Sequence, residues 1–131
     1  MSERRFSDAV GYKITGTLAV GTVLQLDSSE CTTNETVLEQ AGTTAFYKGV
    51  LAEATTSTKA QAPVWTDGDH YALVDGSDNA ISVGTRLKTL AGEFIPAATN
   101  KDVVCAEALE ATTSDSVLAL VRLVSPYTVN I

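Results

Sequence analysis

The chain is poor in the residues that carry most protein chemistry. Its 131 residues include one His, one Trp, one Met, two Cys and three Pro. A single histidine and no G-x-S-x-G elbow leave little from which to build a Ser-His-Asp hydrolase. No Walker sequence and no G-x-G-x-x-G is present to cradle a phosphate. Two cysteines and one histidine without C-x-x-C or H-x-x-x-H spacing supply no zinc ligand set. The reading is therefore of a protein that is not an enzyme, with no cofactor and no metal. A block of basic residues is also missing. Nine Lys and Arg stand against sixteen Asp and Glu, giving a net charge of −7, so the electrostatic footprint of a nucleic-acid binder is absent. The longest aliphatic run is Val117-Leu118-Ala119-Leu120-Val121, short of the ~20 residues a membrane helix needs. No membrane partner is expected. Met1 to Phe6 holds two arginines with no apolar stretch behind them, so no secretory signal is read. Cys31 and Cys105 are then expected as free thiols made in the cytoplasm, and a bond between them would need Cα atoms within ~7 Å.

What the chain has in quantity is small and β-branched: 18 Thr, 17 Ala and 14 Val. Thr and Val favour extended chain because two heavy atoms on Cβ restrict χ1 and pack well on a pleated surface. Short apolar stretches alternate with Gly, Asp, Asn and Thr clusters at intervals of ~8–12 residues, the spacing of an all-β domain. Thr36–Gln40 and Lys101–Ala111 are the best helix candidates, but neither holds a 3.6-residue period with caps. At most one short helix is expected. Residues 1–12 read as an N-terminal arm that a partner orders, with Arg4, Arg5, Phe6 and Tyr12 as its contact residues. Residues 13–131 read as one β-rich domain.

The chain repeats itself. Val20-Gly21-Thr22-Val23-Leu24 matches Val83-Gly84-Thr85-Arg86-Leu87 at an offset of 63, and Glu53-Ala-Thr-Thr-Ser57 matches Glu110-Ala-Thr-Thr-Ser114 at an offset of 57. The order is kept and the second copy is shorter. Two units are too few for a solenoid. The physical reading is two similar β-units packed into one sandwich or barrel, a compact β-tulip-like body in which each unit covers the other's apolar face.

Val20-Gly-Thr-Val-Leu-Gln-Leu-Asp27, Gly49-Val-Leu-Ala-Glu-Ala54, Cys105-Ala-Glu-Ala-Leu-Glu-Ala111 and Ser116-Val-Leu-Ala-Leu-Val-Arg-Leu-Val124 together resemble the small capsid decoration, or cement, proteins of tailed bacteriophages. The likeness spans about residues 18–124, and the lambda-type head decoration proteins are looser relatives. The resemblance implies a β-rich body, commonly a homotrimer, on the outer capsid surface of the virion. It further implies that the terminal arm touches the major capsid (coat) protein. On this sequence that assignment falls on Arg4, Arg5, Phe6 and Tyr12. The chain departs from the lambda-type pattern in having no long Pro/Ala-rich arm.

Several residues invite more than one reading. Trp65, His70 and Tyr71 flank the Asp67-Gly68 turn and are taken as an oligomer or partner interface, since aromatics among few charges serve as anchors. Trp65 could equally fill the core. Asp67, Asp69, Asp75 and Asp78 are turn formers first, with calcium as the sharper alternative. Glu53 and Glu110 are placed at solvated strand ends rather than across a glycosidic bond. The competing function class is a β-sandwich adhesion or carbohydrate-binding module of a phage fibre or similar appendage.

Overall fold

The computed structural model describes residues 9–42, 47–57, 60–98 and 102–128. Ten strands follow one another in it: β1 Val10–Ile14, β2 Val23–Leu26, β3 Val37–Gln40, β4 Tyr47–Leu51, β5 Ala60–Trp65, β6 Gly68–Val74, β7 Arg86–Leu90, β8 Glu93–Pro96, β9 Val103–Ala108 and β10 Val117–Thr128. The described residues include no helix. Both helix candidates are strands: Val37–Gln40 is β3 and Val103–Ala108 is β9. Each lies hydrogen-bonded between two neighbours, and that pairing outweighs the local helical preference of Glu, Gln and Ala.

The strands close into two barrels in the orders β1-β3-β2-β4-β5 and β6-β8-β7-β9-β10. These are the same circuit with five added to each strand number. In both, the first and third strands run parallel and every other pair is antiparallel. The repeat seen in sequence is therefore a duplicated barrel, and the register repeats with it. Leu24 faces Gly49 as Leu87 faces Ala106, and Val23 faces Val50 as Arg86 faces Glu107. Ile14 lies between Leu38 and Ala60 as Val74 lies between Phe94 and Val117. The offsets of 63 and 57 are those of β2 to β7 and of β4 to β9. The expectation of one sandwich or barrel made by two units becomes, in three dimensions, one barrel per unit. Each ring closes onto its own first strand, which removes the free edges that an open sheet would present.

The units differ mainly where β2 meets β3. Residues 27–36 make that connection in the first, against Ala91 and Gly92 in the second. The longer loop is tied down at Asp27, whose carboxylate accepts from Thr15 Oγ1 at 2.7 Å and from Ser29 Oγ at 2.8 Å. Asp67-Gly68 does not turn a hairpin. It carries the chain from β5 of one barrel to β6 of the other.

The interior of the first barrel is Ile14, Leu24, Leu38, Leu51, Ala62 and Val64. Consecutive strand residues point to opposite faces, so Val23 and Val50, next to Leu24 and Leu51, point out of that barrel. They are nonetheless fully buried. Both join the second barrel's core of Ala72, Val74, Leu87, Phe94, Cys105 and Val121, together with Ala41, Tyr47 and Trp65. Tyr47 reaches across to Phe94, with ring centroids 6.0 Å apart. Its hydroxyl is buried and has no hydrogen-bond partner among the described residues, and burial pushes its pKa above the ordinary tyrosine value. An unmet buried hydroxyl opposes folding. Tyr47→Phe should therefore leave stability unchanged or raise it by up to ~1 kcal/mol, read from the denaturant midpoint. Cys31 and Cys105 are both free thiols, Cys105 buried and pushed up to about 12 by that burial.

Candidate partner surfaces

The passage from β5 to β6 brings Trp65 and His70 together. Their rings stack with centroids 4.1 Å apart and planes 7° from parallel. His70 Nε2 lies 2.8 Å from the Asp67 carbonyl oxygen, so the neutral ring carries its proton on Nε2 and donates it there. His70 is buried and Trp65 packs against the shared core. Of the three residues expected at an interface, the structure turns only Tyr71 outward, at 44% exposure. Tyr12 lies within β1 and is half-buried, with Lys48 Nζ 5.8 Å from its ring centroid. Arg4, Arg5 and Phe6 lie outside the described residues.

Burial is the main cause that lowers the His70 pKa, opposed by the Asp67 carbonyl and by the charges of Asp67 and Asp69. The folded state thus binds this proton less readily than the unfolded chain, whose histidine titrates near ~6.5. His70's contribution to stability is complete above that value and is lost as pH falls through it. His70→Phe keeps an aromatic stack and removes the titration. The stability difference between parent and variant should be flat above pH ~7 and shift against the parent below pH ~6, measured by urea midpoints across that range.

Outward positions of β6 and β10 form a face that sequence reasoning reached only through Tyr71. Directly opposed pairs along it are Asp69 with Arg122, Tyr71 with Leu120, and Leu73 with Leu118. Arg122 Nε and Nη2 donate to the two Asp69 oxygens at 2.8 and 3.0 Å. Tyr71 and Leu118 are 44% and 47% exposed, whereas Leu120 is buried; Val20, which precedes the Gly21 that abuts this face, is also exposed. The signal in sequence was the unbroken run Val117 to Val121, which is not the alternation of a strand with one wet face.

The duplication supplies an internal comparison. At the positions matching Tyr71, Leu73, Leu118 and Leu120, the first barrel has Gly11, Lys13, Gln61 and Pro63. A second face shows the opposite exchange. Val23, Val50 and Trp65, which bury the first barrel against the second, match Arg86, Glu107 and Arg122. One barrel has its β2/β4 side apolar and its β1/β5 side polar, and the other has the reverse.

The acidic candidates separate. Asp67 and Asp69 stand at the start of β6, whereas Asp75 and Asp78 follow its end. Asp75 accepts from Ser77 N at 2.9 Å and Ser77 Oγ at 2.6 Å, and those hydrogen bonds lower its pKa. This is turn chemistry. Carboxylate oxygens of Asp75, Glu93 and Asp115 lie within 4.8 Å of one another. Glu110 Oε1 accepts the Leu120 N–H at 2.7 Å. Its repeat partner is Glu53, and the position that matches Leu120 is Pro63, which has no N–H to give.

The architecture defines a class: a tandem of two five-stranded β-barrels with one circuit and one register. A solved structure is similar to it in fold, "The crystal structure of head fiber gp8.5 N base in bacteriophage phi29", with a TM-score of 0.67 at 14% identity, over 88% of this chain and 92% of that one. The likeness is one of fold. No family model matches the chain, and no curated protein matches it.

Proposed function

We propose that the chain is a structural protein of a tailed-phage head: a decoration protein that binds the outer capsid surface and bridges coat subunits. The observation that carries this reading is the fold likeness to a phage head-fibre base, which covers nearly the full length of both chains. The stretches Val20–Asp27, Gly49–Ala54, Cys105–Ala111 and Ser116–Val124, which resemble those of cement proteins, point the same way. On this reading the protein is not an enzyme. Its one histidine is occupied by Trp65 and the Asp67 carbonyl. Its partner is the major capsid protein, and its acidic charge keeps it soluble at high copy number and off the packaged DNA. A homotrimer would make modest contacts durable, because each seated subunit raises the effective concentration of the next.

The second reading is the base of a fibre that projects from the head, favoured by what the similar structure is. The first test is incubation of the purified chain with empty heads that lack it. Saturable binding at a fixed ratio to coat protein supports a head protein of either kind. Absence of binding to heads, together with binding on a glycan array, would sink both in favour of a free adhesion module.

A further inference from the structure

Rows along β6 and β10 place an apolar strip between two differently charged ends. Positions facing away from the barrel interior run Asp69, Tyr71, Leu73, Asp75 on β6 and Ser116, Leu118, Leu120, Arg122 on β10; Tyr71 and Leu118 are the exposed apolar side chains among them, Leu73 is half-buried and Leu120 is buried. One end is closed by the Asp69–Arg122 pair, which is electrically neutral. The other runs into Asp75 and, clustered with it, Glu93 and Asp115. Among the described residues, Arg122 is the basic side chain on these two strands, and Asp69 neutralises it. The apolar character is specific to this copy of the unit. The other barrel has the same strands in the same register and carries Gly11, Lys13, Gln61 and Pro63 there. The barrel circuit therefore tolerates polar residues at these positions, and folding does not demand Tyr71 or Leu118 with half their surface in water. The strip is also continuous with an interface already built. The Val20-Gly21 turn of the first barrel seats on it, with Gly21 O accepting the Leu73 N–H at 2.9 Å.

We propose that this face is where the chain meets its partner, a protein surface with an apolar side chain at its centre and lysine or arginine along one side. The proposal rests on the reading of the chain as a head protein and specifies the face it docks with. Charge decides between a different protein and a second copy. A second copy brings its own −7 and the same acidic end. Its described lysines are elsewhere, Lys13 on Glu35, Lys88 on Asp102 and Lys48 over the Tyr12 ring. A basic-edged partner gains at the acidic end what a second copy loses there. Tyr71 supplies the kind of aromatic anchor that dominates such contacts.

The test uses the full chain and three octapeptide probes: alternating Leu-Lys, alternating Leu-Glu and alternating Ser-Lys. Backbone amide spectra report where each binds. The Leu-Lys peptide should move Tyr71, Leu73, Asp75 and Leu118, and bind at least ~10-fold more tightly than Leu-Glu, because the two differ only in the sign of the charge that meets the acidic end. Ser-Lys should touch only the Asp75, Glu93 and Asp115 end. Tyr71→Ser and Leu118→Gln, the latter installing the residue the first barrel carries, should keep the rest of the spectrum and weaken Leu-Lys binding by at least ~10-fold. Shifts centred on Val83 or Leu90 instead, or equal binding of Leu-Glu, overturn the proposal. So does a dimer that Leu118→Gln dissolves, which would make the occupant a second copy. Head binding that survives both variants overturns the face and leaves the head-protein reading standing. Peptide binding at the face without any head binding does the reverse.

Discussion

Gly21→Ala should cost about 3 kcal/mol, and Gly84→Ala only about 1–2 kcal/mol. The two glycines hold the same place in the repeat. Both have left-handed φ, +87° and +91°, and each donates its N–H to the matching carbonyl, Leu51 or Ala108, at 2.8 Å. The backbone strain of adding a Cβ is therefore common to both. The surroundings are not. A Cβ on Gly21 would come within 2.4 Å of Leu118 Cδ2 and 3.2 Å of the Leu73 nitrogen, whereas one on Gly84 meets nothing within 4 Å. Crowding adds to strain at the first site alone, and it acts on the contact by which the first barrel is held to the second. Denaturant midpoints of the two variants at unchanged slope measure the difference. Equal costs would mean that the turn does not bear on the second barrel.

Val50→Glu should cost at least about 4 kcal/mol or abolish cooperative folding, while Glu107→Val should change stability by less than about 1 kcal/mol. The two positions correspond, one facing Val23 and the other Arg86. Val50 is fully buried in the core that both barrels share, and a carboxylate there has no charge to pair with. Glu107 is half-buried between Arg86 and Arg122. The face it occupies ends the tandem with charge, much as terminal repeats are capped. Adding Arg86→Val to Glu107→Val rebuilds the first barrel's joining face on the second. That double variant should associate with rising concentration in sedimentation experiments, because it exposes a new contiguous apolar patch that nothing in its own chain covers.

These pairs also explain how far the sequence could be read. The all-β class followed from Thr, Val and regular turns, and the duplication followed from two short matches whose offsets equal the strand offsets. The number of barrels did not follow. It depends on β1 pairing with β5 and β6 with β10, contacts across some fifty residues that leave no local mark. Trp65 and His70 looked like surface anchors because they flank a turn. The turn proved to be the passage between barrels, where the two rings bury each other. Tyr71, one residue along the same strand, points the opposite way and is exposed. Leu118 and Leu120 were visible as part of an apolar run, but whether such a run is buried on both faces or presents one outward depends on what packs against it. Glu110 shows the same limit: its hydrogen bond to Leu120 N joins loop and strand in a way that spacing alone does not specify.

The cement reading is tested most directly by the temperature at which empty heads burst, measured with and without the chain at increasing ratio. A clamp that bridges coat subunits should raise that temperature, and the rise should level off at the ratio where binding saturates. Saturable binding that leaves the bursting temperature unchanged, as expected of a fibre base that only stands on the shell, would contradict it.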